Sequence, residues 1–142
     1  MTYDRLGNFV TPAEPALLAG IDDFILGFLA YQTCATNLLS SVDRYPDSCL
    51  GNTYAGFLWM FLEAPKAPER ARPYLERALA ANGSAREKAN ASVLGAWVAG
   101  DIPQVLRLCE EIATAHTSDL VIINIAQYHL FNLGDATGML RL

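Results

Sequence analysis

Trp97-Val98-Ala99-Gly100-Asp101 and, thirty-four positions further on, Phe131-Asn132-Leu133-Gly134-Asp135 are the stretches that decide the fold. In each, an apolar helical run stops at glycine and an aspartate opens the next run. Glycine supplies the left-handed backbone that ends a helix, and aspartate is a favoured N-terminal cap. Thirty-four residues is the tetratricopeptide period, in which each unit is a pair of antiparallel helices. Ala71 with Val105, and Ala78 with Ile112, keep the same spacing. One helix pair leaves an apolar face that it cannot bury alone, and the next pair covers it. The spacing predicts an all-α, right-handed α-solenoid of antiparallel helix pairs, tetratricopeptide-like, with seven to eight helices in a single domain over residues 1–142.

The rest of the chain reads as helix and turn, without alternation of period two. An irregular first pair is expected over residues 11–45, followed by pairs over 47–82, 84–116 and 118–142, the last truncated. Thr11 caps a first helix with Pro12 at its first position, and Pro15 offers a start one turn later. Tyr45-Pro46 ends the second helix, since the residue before proline disfavours the α region. Asp47 caps the third, which is apolar on most sides and therefore buried between neighbours. Asn82-Gly83 reads as a left-handed helix end, Ser84 with Glu87 as a capping box, and Ser118 as the cap of the seventh helix.

Charge and composition narrow the function. The formal net charge is −5, which argues against a phosphate backbone as partner and so against nucleic acid. The basic residues between Lys66 and Lys88 alternate with Glu69, Glu76 and Glu87, as on a solvated helix face. Cys34, Cys49 and Cys109 form no C-x-x-C, which suggests reduced buried thiols and a cytoplasmic setting. The uncharged run from Phe24 to Val42 is interrupted by Gln32, Thr33, Thr36, Asn37, Ser40 and Ser41, so no membrane span is expected.

A family resemblance covers most of the chain. Asp4-Arg5-Leu6-Gly7, Ala71-Arg72, Leu75-Glu76-Arg77-Ala78, Arg86-Glu87, Trp97-Val98-Ala99-Gly100-Asp101, Glu110-Glu111-Ile112, and Asp119 ahead of Leu133-Gly134-Asp135 carry it. In this order they resemble the N-terminal part of the tetratricopeptide-repeat protein 38 family. The sequence departs from that pattern at Ile102-Pro103 and at Thr117, where proline is more usual. The resemblance implies a soluble helical-repeat protein without a catalytic role.

No phosphate-binding loop, dinucleotide fingerprint, H-E-x-x-H or EF-hand loop occurs in the sequence. Neighbouring carboxylates at Asp22-Asp23 and Glu110-Glu111 point about 100° apart on a helix, so neither pair can clasp one ion. His116 and His129 are read as structural. No catalytic residue, cofactor or metal is therefore expected. The expected site is instead a peptide- or protein-binding surface on the concave face, formed by Glu87, Asn90 and Trp97 of one repeat with Asn124, Tyr128 and Phe131 of the next. The helix over 118–133 and the C-terminal face are expected to support homodimers, because helix seven carries almost no charge. The competing expectation is a small-ligand or hydrolytic pocket near Tyr31, Trp59, Trp97 and His129.

Overall fold

The computed structural model describes residues 2–11 and 13–141. Among them lie two short strands, one 3-10 segment and eight α-helices, so the chain is all-α behind an N-terminal hairpin. β1 (Thr2–Tyr3) and β2 (Phe9–Val10) pair antiparallel, Thr2 opposite Val10 and Tyr3 opposite Phe9. Asp4 makes the turn between them: its Oδ1 accepts from the backbone N–H groups of Leu6 and Asn8 at 2.9 and 3.0 Å, the local bonding that makes aspartate a turn residue. This hairpin is not legible in the sequence, because two residues per strand are too few to show alternation.

The helices are α1 (Pro15–Ala30), α2 (Asn37–Arg44), α3 (Cys49–Phe61), α4 (Ala67–Ala80), α5 (Ala85–Val98), α6 (Ile102–Ala115), α7 (Leu120–Leu133) and α8 (Ala136–Arg141). A 3-10 turn over Thr33–Thr36 leads into α2. The two Gly-Asp junctions are the same turn made twice. Gly100 and Gly134 take φ of +77° and +72°, and the N–H of Asp101 and of Asp135 reaches back to Ala96 O and Leu130 O, both at 2.9 Å. Each aspartate then accepts from the N–H three residues on, Gln104 at 3.2 Å and Gly138 at 2.8 Å. Helix exit and helix entry are thereby satisfied within one dipeptide.

Several helix ends differ from expectation. α1 begins at Pro15 after Glu14, one turn later than Thr11 would set it, and Pro12 lies outside the described residues. Ser48, not Asp47, caps α3, its Oγ accepting from Gly51 N at 2.9 Å. Asp119, not Ser118, caps α7. α4 leaves through an extended Ala81 (φ −79°, ψ 153°) rather than a left-handed Asn82-Gly83. Gly83 serves close approach instead, since a Cβ there would sit 2.9 Å from the Cβ of Cys49. The Ser84–Glu87 capping box is formed as expected.

Neighbouring helices pack in sequence order, and α3 also packs on α5. A Cβ on Gly56 would run into the Leu94 side chain, so glycine sets how closely α3 and α5 approach. The helix α1 packs against both α3 and α7. That contact closes the interior, where aromatic rings from four helices meet. Phe24 stacks on Tyr54 at 4.7 Å, Phe28 meets Phe61 edge-on at 4.6 Å, Phe61 meets Trp97 at 5.0 Å, and Trp97 meets His129 at 4.7 Å. Such pairs add to the burial energy of large apolar rings. No helix among the described residues is long and apolar enough to cross a membrane.

Candidate functional site

The six expected binding residues divide into two groups. Glu87, Asn90 and Trp97 lie in the interior, at 1%, 0% and 7% exposure. They cannot form an open concave surface, because α1, α7 and the hairpin occupy the space that they face. Glu87 accepts from Ser84 N at 2.8 Å and from Thr11 N at 3.2 Å, with a further short bond from the Thr11 hydroxyl. Asn90 donates to Arg86 O at 3.0 Å and to Asp119 Oδ2 at 3.1 Å. These polar side chains therefore belong to a buried lock around Arg86. Its guanidinium bonds Asp119 at 2.9 Å, reaches Phe9 O at 3.3 Å and lies 3.8 Å from the Asp4 carboxylate. Asn8 donates to Ser118 O at 2.9 Å. The hairpin is thus held onto the N-terminal ends of α5 and α7. Burial raises the Asp4 carboxyl above its ordinary value, against the lowering effect of its bonds from Asn8 and Leu6 and the nearby Arg86 charge.

Asn124, Tyr128 and Phe131 remain accessible and share one cleft of about 650 Å³. Its opposite wall is the C-terminal end of α1 with Gly27, Phe28 and Tyr31, its floor includes Leu58 and Phe61 of α3, and Met139 of α8 closes one side. Gln127, also on the lining, ties α8 down by donating to Met139 O at 2.9 Å. Glycine is needed at position 27, where a Cβ would sit 2.7 Å from Gln32 O. Two rings on the cleft stand out in solvent: Tyr31 is 90% exposed and Phe131 is 71% exposed. The non-glycine residues with positive φ among those described are Tyr31 at +56° and Glu63 at +52°. Both belong to this region, because Glu63 accepts a short hydrogen bond from the hydroxyl of Tyr128. A left-handed backbone on a side-chain-bearing residue is unfavourable and concentrates at functional sites.

The competing pocket is dispersed. Tyr31 lines the cleft, whereas Trp97 and His129 lie beneath it, in contact with Tyr128 at 6.0 and 5.0 Å. Trp59 faces Arg70, whose guanidinium carbon lies 5.3 Å from the ring centre. His129 is 5% exposed, its Nε2 has no hydrogen-bond partner among the described residues, and burial lowers its pKa to about 4. It is a neutral core imidazole at physiological pH. Among the described residues no three His, Cys, Asp or Glu side chains converge on a possible metal position.

A second, more polar cleft of about 540 Å³ opens beside the start of α3, lined by Glu14, Arg44, Asp47, Ser48 and Cys49 among others. Its charges are of both signs. The Cys49 thiol is buried and pushed up, first by desolvation and then by the charge of Glu87, which makes it a poor nucleophile. Sequence reasoning missed the α1 wall of the larger cleft, Phe28 in particular, because nothing local says that the first helix folds back onto the seventh. Comparison of the chain with family models, with curated proteins and with solved structures finds no match.

Proposed function

We propose that this chain is a tetratricopeptide-like interaction module that holds a short segment of a partner protein in the cleft between α1, α3 and α7. The observation that carries the reading is the pair of solvent-exposed rings, Tyr31 and Phe131, on a cleft also lined by Phe28, Phe61 and Tyr128. Exposed aromatic rings beside a preformed apolar depression are what protein-binding hot spots are made of. The side-chain amides of Gln32 and Asn124 on the same lining offer donors and acceptors to a peptide backbone. The repeated Gly-Asp junctions and the resemblance to the tetratricopeptide-repeat protein 38 family support the helical-repeat part of the reading. The binding surface is the end cleft, not a concave face through Glu87 and Asn90.

The test is selection of a random peptide library on the wild-type protein, followed by direct titration of the enriched peptides against a Tyr31→Ser, Phe131→Ser variant. Both rings are exposed, so the variant keeps its core. Enriched peptides should lose at least tenfold in affinity, on the order of 1.4 kcal/mol. Peptides that bind both proteins equally would show that the cleft is not the binding surface.

Self-association is the second reading, favoured by Phe131 and Leu133 of α7 and Leu140 of α8, at 71%, 63% and 89% exposure. Apolar side chains gathered this way mark association surfaces. Light scattering at increasing concentration decides it: a mass that stays at 15.5 kDa rules the dimer out.

A further inference from the structure

The geometry points to a cationic occupant for this cleft: a trimethylated lysine side chain carried by the partner segment. This deepens the peptide-binding reading above and rests on it. Five aromatic rings line the cleft, Phe28, Tyr31, Phe61, Tyr128 and Phe131, and no Lys or Arg is among the lining residues. The faces of aromatic rings are negative, so a cation set among several is attracted by each. Three of the rings are fixed in place by one another: Phe61 lies 4.6 Å from Phe28 and 4.8 Å from Tyr128. Tyr31 and Phe131, both largely exposed to solvent, stand on the same lining beside them.

The charge beside the cleft has the matching sign. Glu63 is exposed, and its carboxylate is bonded to the hydroxyl of Tyr128. Hydrogen bonding of a phenol to a carboxylate raises the electron density of the ring, which strengthens its attraction for a cation on its face. The carboxylate adds a Coulomb term, and the chain as a whole carries −5. A trimethylammonium group suits an apolar floor better than a bare ammonium, which would lose three hydrogen bonds to water on entry. The charge of a methylated nitrogen is spread over methyl groups, so less hydration is given up.

The experiment uses the full chain and calorimetric or NMR titration with four probes. These are a short acetylated peptide with one trimethyllysine, the same peptide with the neutral carbon isostere in which carbon replaces the ammonium nitrogen, the unmodified lysine peptide, and free choline. The trimethyllysine peptide should bind at least about fivefold more tightly than the neutral isostere, with unmodified lysine and choline weaker still. In a Tyr31→Leu, Phe131→Leu variant, which keeps apolar walls but removes their rings, the preference for charge should shrink toward unity. Glu63→Gln should reduce it partway. Equal binding of the charged and neutral peptides overturns the cation assignment and leaves the cleft reading standing. Choline binding as tightly as the peptide overturns the lysine source. Absence of binding by every probe overturns the cation assignment, while the peptide cleft stands or falls by the library selection above.

Discussion

His129 shows what a single buried polar residue does to the molecule. Its ring is wedged edge-on against Trp97 and Tyr128, and burial holds its pKa near 4 against an ordinary 6.5. The folded protein therefore binds fewer protons than the unfolded chain between those two values. The stability held by neutral His129 is fully present above pH 6.5, falls as pH drops through the window, and is lost by about pH 4. A shift of this size corresponds to at most about 3 kcal/mol. Asp4 works in the opposite sense, since burial raises its carboxyl and acid relieves that cost. The measurement must therefore be a difference between proteins. Thermal melts of wild type and His129→Leu at pH 7 and pH 4.5 should show the wild type losing more stability on acidification. Parallel losses in the two proteins would show that His129 does not titrate in this way. The Arg86 lock follows the same logic with charges that are kept: the guanidinium is shared by Asp119, Phe9 O and Asp4, so truncating it strands two buried carboxylates.

At the level of elements, local chemistry was legible and long-range placement was not. The Gly-Asp junctions, the Ser84–Glu87 box, and the stops at Gly100 and Gly134 depend on residues within one turn of each other, so the sequence shows them. Glu87 illustrates the limit. Its capping role was readable from Ser84, yet its burial comes from Thr11, seventy-six positions away, and no local pattern reports that contact. Asn90 and Trp97 are buried by equally distant parts of the chain, whereas Asn124, Tyr128 and Phe131 line a cleft along α7 that no later element fully covers. The duplicate junctions give a quantitative test. Neither Gly100 nor Gly134 has any atom within 4 Å of where a Cβ would stand, so alanine costs only the left-handed backbone. Gly100→Ala and Gly134→Ala should each destabilise by about 1 kcal/mol, as read by urea unfolding. Gly56→Ala, which drives a methyl into Leu94, should cost more, roughly 2 kcal/mol. Unequal costs at the two junctions would show that they are not the same turn energetically.

The whole molecule departs from a simple stack in how its ends are joined. In a linear array each repeat touches only its neighbours, and segments can unfold one at a time. Here α1 packs on α7, and the hairpin is bonded to both α5 and α7 through Arg86, Glu87 and Ser118. Loss of the first helix uncovers the seventh, and loss of the hairpin leaves the Arg86 lock incomplete. Local openings at either end thus cost interactions at the other, which couples the chain into one cooperative unit. Urea unfolding followed by helical circular dichroism and by Trp97 fluorescence, in a Trp59→Phe background, should give coincident midpoints. The common slope should be in the range of roughly 1–3 kcal/mol per molar urea expected of a small domain. Removing residues 2–10 should lower the midpoint and separate the two probes, because Trp97 reports the closed interior while the α3–α4 and α5–α6 pairs keep their own contacts. Separate transitions in the intact chain would mean that the α1–α7 closure is too weak to couple the helix pairs into one unit.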